Sequence, residues 1–341
     1  MSIWFEASTV LRKGMRSLRL AALVLSGLYI GTTALTAHAQ SSTYPQRAIT
    51  LVVPFAPGGG TDHQARVIAK AMEPILKQTV IVENRPGAGG NIAARYVADA
   101  KPDGYTLLVG STGTHGTNEF LYPNLPYDPE KDFEAITLIS TFDNVVVVPV
   151  SSPIKTLEEL VQKAKAEPGK LNYGISTIGS SSHLAIEHFR REAGLDMQGI
   201  PYNGAALATA DLLSGRLDLM LDLVSTQLGN LQGKKVRPLA TTGSERSALL
   251  TDIPTVAESG YPGFEAIGWI GLFAPAGTPQ NVLDTIHGAL AKAYESSELR
   301  KAFESRGLTP MTLSPAEYDE FLREERKKWS TLIREANIKI N

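Results

Sequence analysis

Residues Ile49 to Asp62 read ITLVVPFAPGGGTD, and the organisation of the chain follows from this stretch. Ile49 to Val53 is a short apolar, β-branched run with the character of a buried strand. Pro54, Pro57 and Gly58 to Gly60 break it, and a helix is expected to open at Thr61 or Asp62. Three consecutive glycines let backbone N–H groups converge on one point, with Gly59 expected at a positive φ that a β-branched residue avoids. The helix start adds about half a positive charge there. Such a turn is a small anion cradle that needs no lysine or arginine. The plainer alternative is a tight strand-to-helix connection in which the glycines serve geometry alone.

The stretch stands behind an N-terminal segment of a different kind. Arg12, Lys13, Arg16 and Arg19 precede an apolar run from Leu20 to about Leu35, and Ala37-His38-Ala39 supplies small residues at the cleavage-defining positions. That is the layout of a secretory signal peptide over residues 1–39. A membrane anchor is the alternative, but Ser26, Gly27, Gly31, Thr32 and Thr33 interrupt the run and it is short for a span. Gln40 stands where a lipid-anchored protein would carry cysteine. Loss of residues 1–39 removes four cations and Glu6, taking the formal net charge from −2 to about −5. A mildly acidic protein has no general attraction for nucleic acid. The chain has no cysteine, which excludes disulfides and thiolate chemistry although an exported protein would be permitted bridges. Its remaining length suits two domains.

Strand and helix signals then alternate. Ala65, Ile68, Met72, Ile75 and Leu76 mark one helix face, which Pro74 is expected to kink or end. Strands are expected at Thr79 to Val82, Tyr105 to Val109, Val145 to Val148, Leu171 to Gly174, Gly199 to Pro201, Leu217 to Leu221, Val236 to Ala240 and Ile267 to Ala274. Helices are expected at Asn91 to Ala98, Ser182 to Glu192, Ala205 to Leu213, Pro279 to Ser296, Glu298 to Ser305 and Pro315 to Glu335. Thr156-Leu-Glu-Glu159 and Ser314-Pro-Ala-Glu317 read as capping boxes. The alternation argues for an α/β protein with parallel sheets and helices on both faces. Its order suggests a first lobe of residues 41–142 rejoined by 267–341, and a second lobe of 143–266. The closing helices are expected to pack on the first lobe. Two crossing segments, DNVVVVPV and AIGWIGLFAP, would join the lobes, with a ligand cleft between them at the carboxyl ends of strands.

Several residues are candidates to line that cleft. Ser111 and Thr112 follow a strand beside the glycine turn. Ser180, Ser181 and Ser182 open the next lobe's helix and repeat the cradle logic, with simple N-capping as the plain alternative. His183 reads better as a satisfied imidazole than as a ligand contact. Tyr202, in Pro201-Tyr-Asn-Gly204, could stack on a ligand or merely sit in a turn, and Asp222 ends a strand where it could accept from a ligand or cap the turn.

The motifs PFAPGGGTD, ENRPGAGGN, KPDGYTLLVGSTGTH, LPYDPEKDF, GSSSHL, PYNG, IPTVAESGYPGFEA and GLFAPAGTP resemble, in order and over essentially the whole mature chain, the Bug family of tripartite tricarboxylate transporter solute-binding proteins. The resemblance implies a periplasmic binding protein of the type II fold, holding a small carboxylate between two lobes for delivery to integral membrane transporter subunits. It implies that Gly59, Gly60, Thr61 and Asp62 grip the carboxylate with Ser180, Ser181 and Ser182 opposite, through backbone groups and bridging waters. Di- and tricarboxylates, aromatic carboxylates and acidic amino acids all fit that description. No cofactor or metal is expected, and the protein is expected to work as a monomer. Two departures stand out. Asn203 occupies the PYNG position where the family often has lysine, and Leu223 follows Asp222 where the family usually has asparagine.

An exported hydrolase is the competing reading. It lacks support, since no G-x-S-x-G elbow occurs and Gly174-Ile-Ser176-Thr-Ile-Gly179 has one residue too many. His183 and His188 are off the i, i+4 register of a zinc pair. Gly87-Ala-Gly89-Gly-Asn-Ile92 misses a dinucleotide fingerprint at its third glycine. The binding component of an ATP-driven importer or of a sensory system would share the fold.

Overall fold

A computed structural model describes residues 44–202, 204–335 and 338. The export-signal reading of residues 1–39 and the departure at Asn203 lie outside the described residues. The stretch read first forms strand β1 (Ile49–Val53) and helix α1 (Gly60–Leu76). Successive residues of β1 feed opposite cores. Leu51 and Val53 pack with Ile68 and Met72 of α1, while Val52 packs on the other face with Leu108 and Phe273. Pro74 does not end α1, which continues to Leu76 and stops at Lys77 in a left-handed conformation.

Strand β1 pairs in parallel with β2 (Val80–Asn84) and β3 (Thr106–Ser111). Strand β10 (Gly268–Pro275) runs antiparallel to both β3 and β4 (Phe133–Phe142), and β11 (Leu308–Pro310) closes the edge against β4. The six-stranded sheet has the order β11-β4-β10-β3-β1-β2. The second sheet has the order β7-β6-β8-β5-β9, built from β5 (Asn144–Pro149), β6 (Asn172–Ile175), β7 (Gln198–Pro201), β8 (Leu219–Leu223) and β9 (Val236–Thr241). Here β6 is parallel to β7 and β8, whereas β5 is antiparallel to β8 and β9.

Both sheets are therefore mixed, which corrects the expectation of parallel sheets. The reason is the crossing chain. Strand β4 runs through Asp143 directly into β5, and β10 takes up the chain after its return at Ala266. A strand entering a sheet from the cleft runs against neighbours whose carboxyl ends point toward the cleft. At the crossing, Thr242 donates its backbone N–H to Asn144 O (3.0 Å), and Asn144 Nδ2 donates to Ala266 O (3.1 Å), so side chain and backbone tie the two passes together.

The other helices are α2 (Asn91–Ala98), α3 (Asn118–Leu121), α4 (Leu157–Ala166), α5 (Ser181–Glu192), α6 (Ala205–Leu213), α7 (Val224–Gln232), α8 (Gln280–Ala293), α9 (Ser297–Glu304) and α10 (Pro315–Glu335). Strands β4 and β11 and helices α3 and α7 have no counterpart in the sequence reading. The Ser314–Glu317 capping box is complete: Glu317 accepts the Ser314 N–H at 2.9 Å while Ser314 Oγ accepts the Glu317 N–H at 3.4 Å. At α4, Thr156 Oγ1 accepts from the Glu159 N–H, but the Glu159 carboxylate takes the N–H of Lys155, one residue earlier than expected.

Helix α10 corrects another expectation. Its first half packs on the six-stranded sheet through Tyr318. Its second half delivers Trp329, Leu332 and Ile333 to the core that also holds Leu184 and Phe189 of α5 and Val146 of β5. The closing helix thus spans both sheets rather than one.

Candidate functional site

A cavity of about 310 Å³ opens where strands of both sheets end. Gly59, Gly60 and Thr61 line it from the start of α1, Ser111 to Gly113 from the end of β3, Thr177 to Ser181 from the turn after β6, and Leu223 from the end of β8. The strand-to-helix turns that the sequence places at carboxyl ends thus face one space, the usual ligand position of open α/β sheets. Phe55, Tyr122, Phe142, Ile178, Trp269 and Ile270 supply its apolar walls.

Three helical segments begin at this space. These are α1 with N-cap Gly59, a π-helical turn Thr112–Thr117 with N-cap Ser111, and α5 with N-cap Ser180. The first N–H groups of a helix have no acceptor within it, and the aligned peptides add positive potential at that end. None of the described lining residues is Asp, Glu, Lys, Arg or His. Any anion here would be held by backbone N–H groups, hydroxyls and helix dipoles. Arg85 is paired with Glu83 and lies over the Tyr96 ring, and Arg95 is paired with Asp99.

Individual side chains do different work from what their types suggest. The left-handed glycine of the turn is Gly58 (φ +84°); Gly59 is extended (φ −75°, ψ 171°), which corrects the expectation. Asp62 is buried and accepts from Gly58 N–H (2.9 Å), Arg66 Nε (3.0 Å) and Asn84 Nδ2 (2.9 Å). Burial pushes its carboxyl up, but the hydrogen bonds from Arg66, Gly58 and Asn84 outweigh burial and hold it at about 2. Asp62 fastens the turn and is absent from the cavity wall.

Ser111 and Thr112 line the cavity, yet their hydroxyls are spent on the fold. Ser111 Oγ accepts from the Thr114 N–H, and Thr112 Oγ1 accepts the Trp269 N–H at 3.0 Å. Ser180 Oγ caps α5 by accepting the His183 N–H at 3.3 Å. Ser182 is buried, with its Oγ 3.0 Å from Ser180 Oγ and 3.4 Å from Ser176 Oγ, and does not line the cavity. Ser181 does line it, and its side chain makes no hydrogen bond to other described residues. His183 Nδ1 accepts the Gly179 N–H at 3.0 Å, so the imidazole is neutral and shapes the serine-rich turn. Burial holds its pKa below the usual histidine range, Glu187 opposing and Arg190 adding to the effect.

Tyr202 and Asp222 are not among the residues that line this cavity. Tyr202 donates its hydroxyl to Asp211 (2.9 Å). Asp222 is buried against Gln227 Nε2 (2.9 Å), and burial lifts its carboxyl to about 6 against the bonds from Gln227 and Leu223. The wall residues Phe55, Gly89, Asn118, Tyr122, Phe142, Ile178, Trp269 and Ile270 were absent from the sequence-derived candidates. For Trp269 and Ile270 the signal was the AIGWIGLFAP crossing segment, read as strand only. For Tyr122 and Phe142 no local pattern distinguishes a wall from a core position.

The matching family model is described as tripartite tricarboxylate transporter family receptor, and it covers residues 64–338. Protein BugT of Bordetella pertussis is 33% identical over 327 residues, spanning 96% of this chain and 100% of that protein. Among solved structures, an R. palustris protein with adipate is 35% identical with a TM-score of 0.79, covering 87% of this chain and 100% of that one. MatC from Rhodopseudomonas palustris with bound malate is 34% identical with a TM-score of 0.74, covering 85% and 100%. With a two-lobed type II architecture and turns of both lobes lining one cavity whose described wall carries no Asp, Glu, Lys, Arg or His, this chain belongs to the tripartite tricarboxylate transporter receptors, as a solute-binding protein of the Bug family.

Proposed function

We propose that the protein captures a small carboxylate reversibly in this cavity, in the periplasm, and delivers it as a monomer to the membrane subunits of a tripartite tricarboxylate transporter. The observation that carries the reading is the convergence of three helical N-termini on a cavity with no charged side chain among its described wall residues. Gly59, Gly60, Thr61, Ser111, Thr112, Ser180 and Ser181 form the contact set in this reading. Asp62, Ser182 and His183 keep the two turns in shape.

The division of the chain at 142/143 and 266/267 would let the lobes close over the ligand. Cleavage after Ala39 would place the mature chain in that compartment, and a mature protein whose measured mass begins at Gln40 would establish it. The adipate and malate held by relatives support a carboxylate as the ligand class. Among the described residues no nucleophile–base pair lines the cavity, which favours binding without turnover.

A panel of carboxylates tests the reading. A bound ligand at about a hundred times its Kd adds ~2.7 kcal/mol of stability, which for a domain of this size raises Tm by about 5 °C. A shift with one or more carboxylates, with the ligand recovered unchanged after prolonged incubation, is expected. A broad panel with no shift, or ligand consumed over time, would count against it.

A further inference from the structure

Trp269 and Trp329 are the tryptophans of the chain beyond its expected export signal, where Trp4 stands. Both are fully buried, Trp269 with Leu108 and Phe273, Trp329 in the core of the second sheet. Their indole N–H groups nevertheless end on one oxygen atom. Trp269 Nε1 donates to Glu325 Oε2 at 2.9 Å, and Trp329 Nε1 donates to the same atom at 2.8 Å. We infer that Glu325 is a positioning residue of the binding site, which by holding both indoles fixes the turn that carries Ser111 and Thr112 into the cavity wall. The inference rests on the carboxylate reading above, which makes those two residues ligand contacts.

The chemistry of the clasp is complete. A buried indole N–H needs an acceptor, and a carboxylate oxygen has lone pairs for two donors. Glu325 is 5% exposed, and a charge so placed needs a partner. Lys328 Nζ supplies it at Oε1. Both carboxylate oxygens are therefore engaged. Glu325 and Trp329 stand four residues apart on one face of α10, whereas Trp269 comes from β10, 56 residues earlier.

The two indoles flank the turn Thr112–Thr117. A Cβ built on Gly116 lies 3.5 Å from Trp269 Cζ2 and 3.8 Å from Trp329 Cδ1. At the cavity end of the same turn, Thr112 Oγ1 accepts the backbone N–H of Trp269 at 3.0 Å. Trp269 thus supports the turn twice, through its backbone at Thr112 and through its ring at Gly116. The turn is π-helical, a rare geometry that recurs at functional sites. Binding residues keep their affinity when held within about 0.5 Å of the productive geometry, which takes locked supporting side chains. Tyr318 and Phe321 of α10 meet the Trp269 ring edge-on, with centroids 6.3 and 5.6 Å away. Glu325 takes its polar edge and so fixes the rotation of the ring.

Calorimetry on the full mature protein tests this, with malate, adipate, citrate, benzoate and glutamate as probes and urea unfolding beside it. The probe that binds wild type tightest is carried to the variants. Glu325→Leu keeps the bulk and removes both acceptor oxygens, and it should weaken that probe about tenfold in protein that circular dichroism shows to be folded. Glu325→Gln keeps a carbonyl oxygen for the indoles and should hold affinity within about twofold of wild type, although it loses the charge on Lys328. Trp269→Phe removes the N–H and keeps an aromatic ring, and should weaken the probe about fivefold. It decides the matter where Glu325→Leu does not fold. Tyr294→Phe is the control. It removes a buried hydrogen bond to Ile139 O (2.7 Å) that is not on the cavity wall, and should lower stability while leaving affinity unchanged.

A folded Glu325→Leu or Trp269→Phe protein that binds like wild type would overturn this inference and leave carboxylate capture standing. Equal losses in Glu325→Gln and Glu325→Leu would make charge rather than the shared acceptor the cause, and would overturn it as well. So would a Tyr294→Phe protein as weakened as Glu325→Leu, since the effect would then be general destabilisation. A wild-type protein that binds none of the probes would instead overturn the carboxylate reading beneath, and this inference with it.

Discussion

At Gly58, Gly59 and Asp62 a residue's chemistry and its position divide the labour of the first turn. Gly58 alone carries the left-handed backbone, and Gly59 meets only Ala56 O, at 3.5 Å from a built Cβ. Gly58→Val should therefore destabilise the fold by about 1–2 kcal/mol, the cost of a β-branched residue in that region. Gly59→Val should fold normally yet put methyl groups where an anion must approach the N–H groups. Losing two charge-assisted hydrogen bonds of ~1.5–3 kcal/mol each predicts at least a hundredfold loss of affinity by calorimetry. A folded Gly59→Val protein binding like wild type would take this turn out of the site. Asp62→Ala removes an acceptor from Gly58, Arg66 and Asn84 and should cost about 1.5–3 kcal/mol in urea unfolding. Because the folded carboxyl lies at about 2, below its ordinary value near 3.8, its contribution is present above pH ~4 and lost as pH falls toward 2.

Helix starts are the elements that make the site, and their caps can be separated from their contacts. Ser180 Oγ caps α5 through the His183 N–H, so Ser180→Ala should lower stability by ~0.5–2 kcal/mol. Ser181 has no such duty, and Ser181→Ala should leave Tm nearly unchanged. Its affinity should fall less than that of Gly59→Val, because the N–H groups of α5 survive. Thermal melts beside ligand titrations of the pair read these roles apart; a Ser181→Ala protein that melts much lower than Ser180→Ala would reverse the assignment.

The pH dependence belongs to the whole molecule, because buried and half-buried histidines are spread through both lobes. Burial lowers His115 to about 3, with Arg326 adding to it, and burial also lowers His63, His183 and His188. The unfolded chain therefore binds more protons than the folded one just below pH ~6.5. Their contribution is complete above that pH and is lost as pH falls through it. Three carboxyls act the other way, among them Asp319, which burial raises with Arg323 opposing and Glu134 adding. Burial raises Asp143, helped by Glu265, and Asp222, both to about 6. Their contribution is present at low pH and lost as pH rises from ~4 through 6. With His115 lowered furthest and three more histidines lowered too, against three carboxyls, the protein should melt lower at pH 5 than at pH 7. His115→Phe, which keeps an aromatic face on Phe273 (3.7 Å ring separation in wild type), should shallow that slope. Identical melting at both pH values would contradict the account.

What the sequence by itself determined is local. Ile49–Val53 had to be a buried strand and PGGG had to turn, because apolar β-branched runs and glycines leave the backbone few other states. The same holds for the serine start of α5 and the Ser314–Glu317 box, whose partners are three residues away. Motif order along the chain carried the family. Tertiary structure decided what depends on distant partners. It set β4 and β10 against their neighbours because the chain crosses the cleft, and it carried α10 across to the second core through Trp329. It turned the Asp62 carboxylate away from the cavity to meet Asn84, and it sent Tyr202 to Asp211. It also gathered Phe142, Leu223 and Trp269 into one wall. Apolar side chains read alike in sequence whether they face a core or a ligand, because burial is a property of what folds against them rather than of the residue.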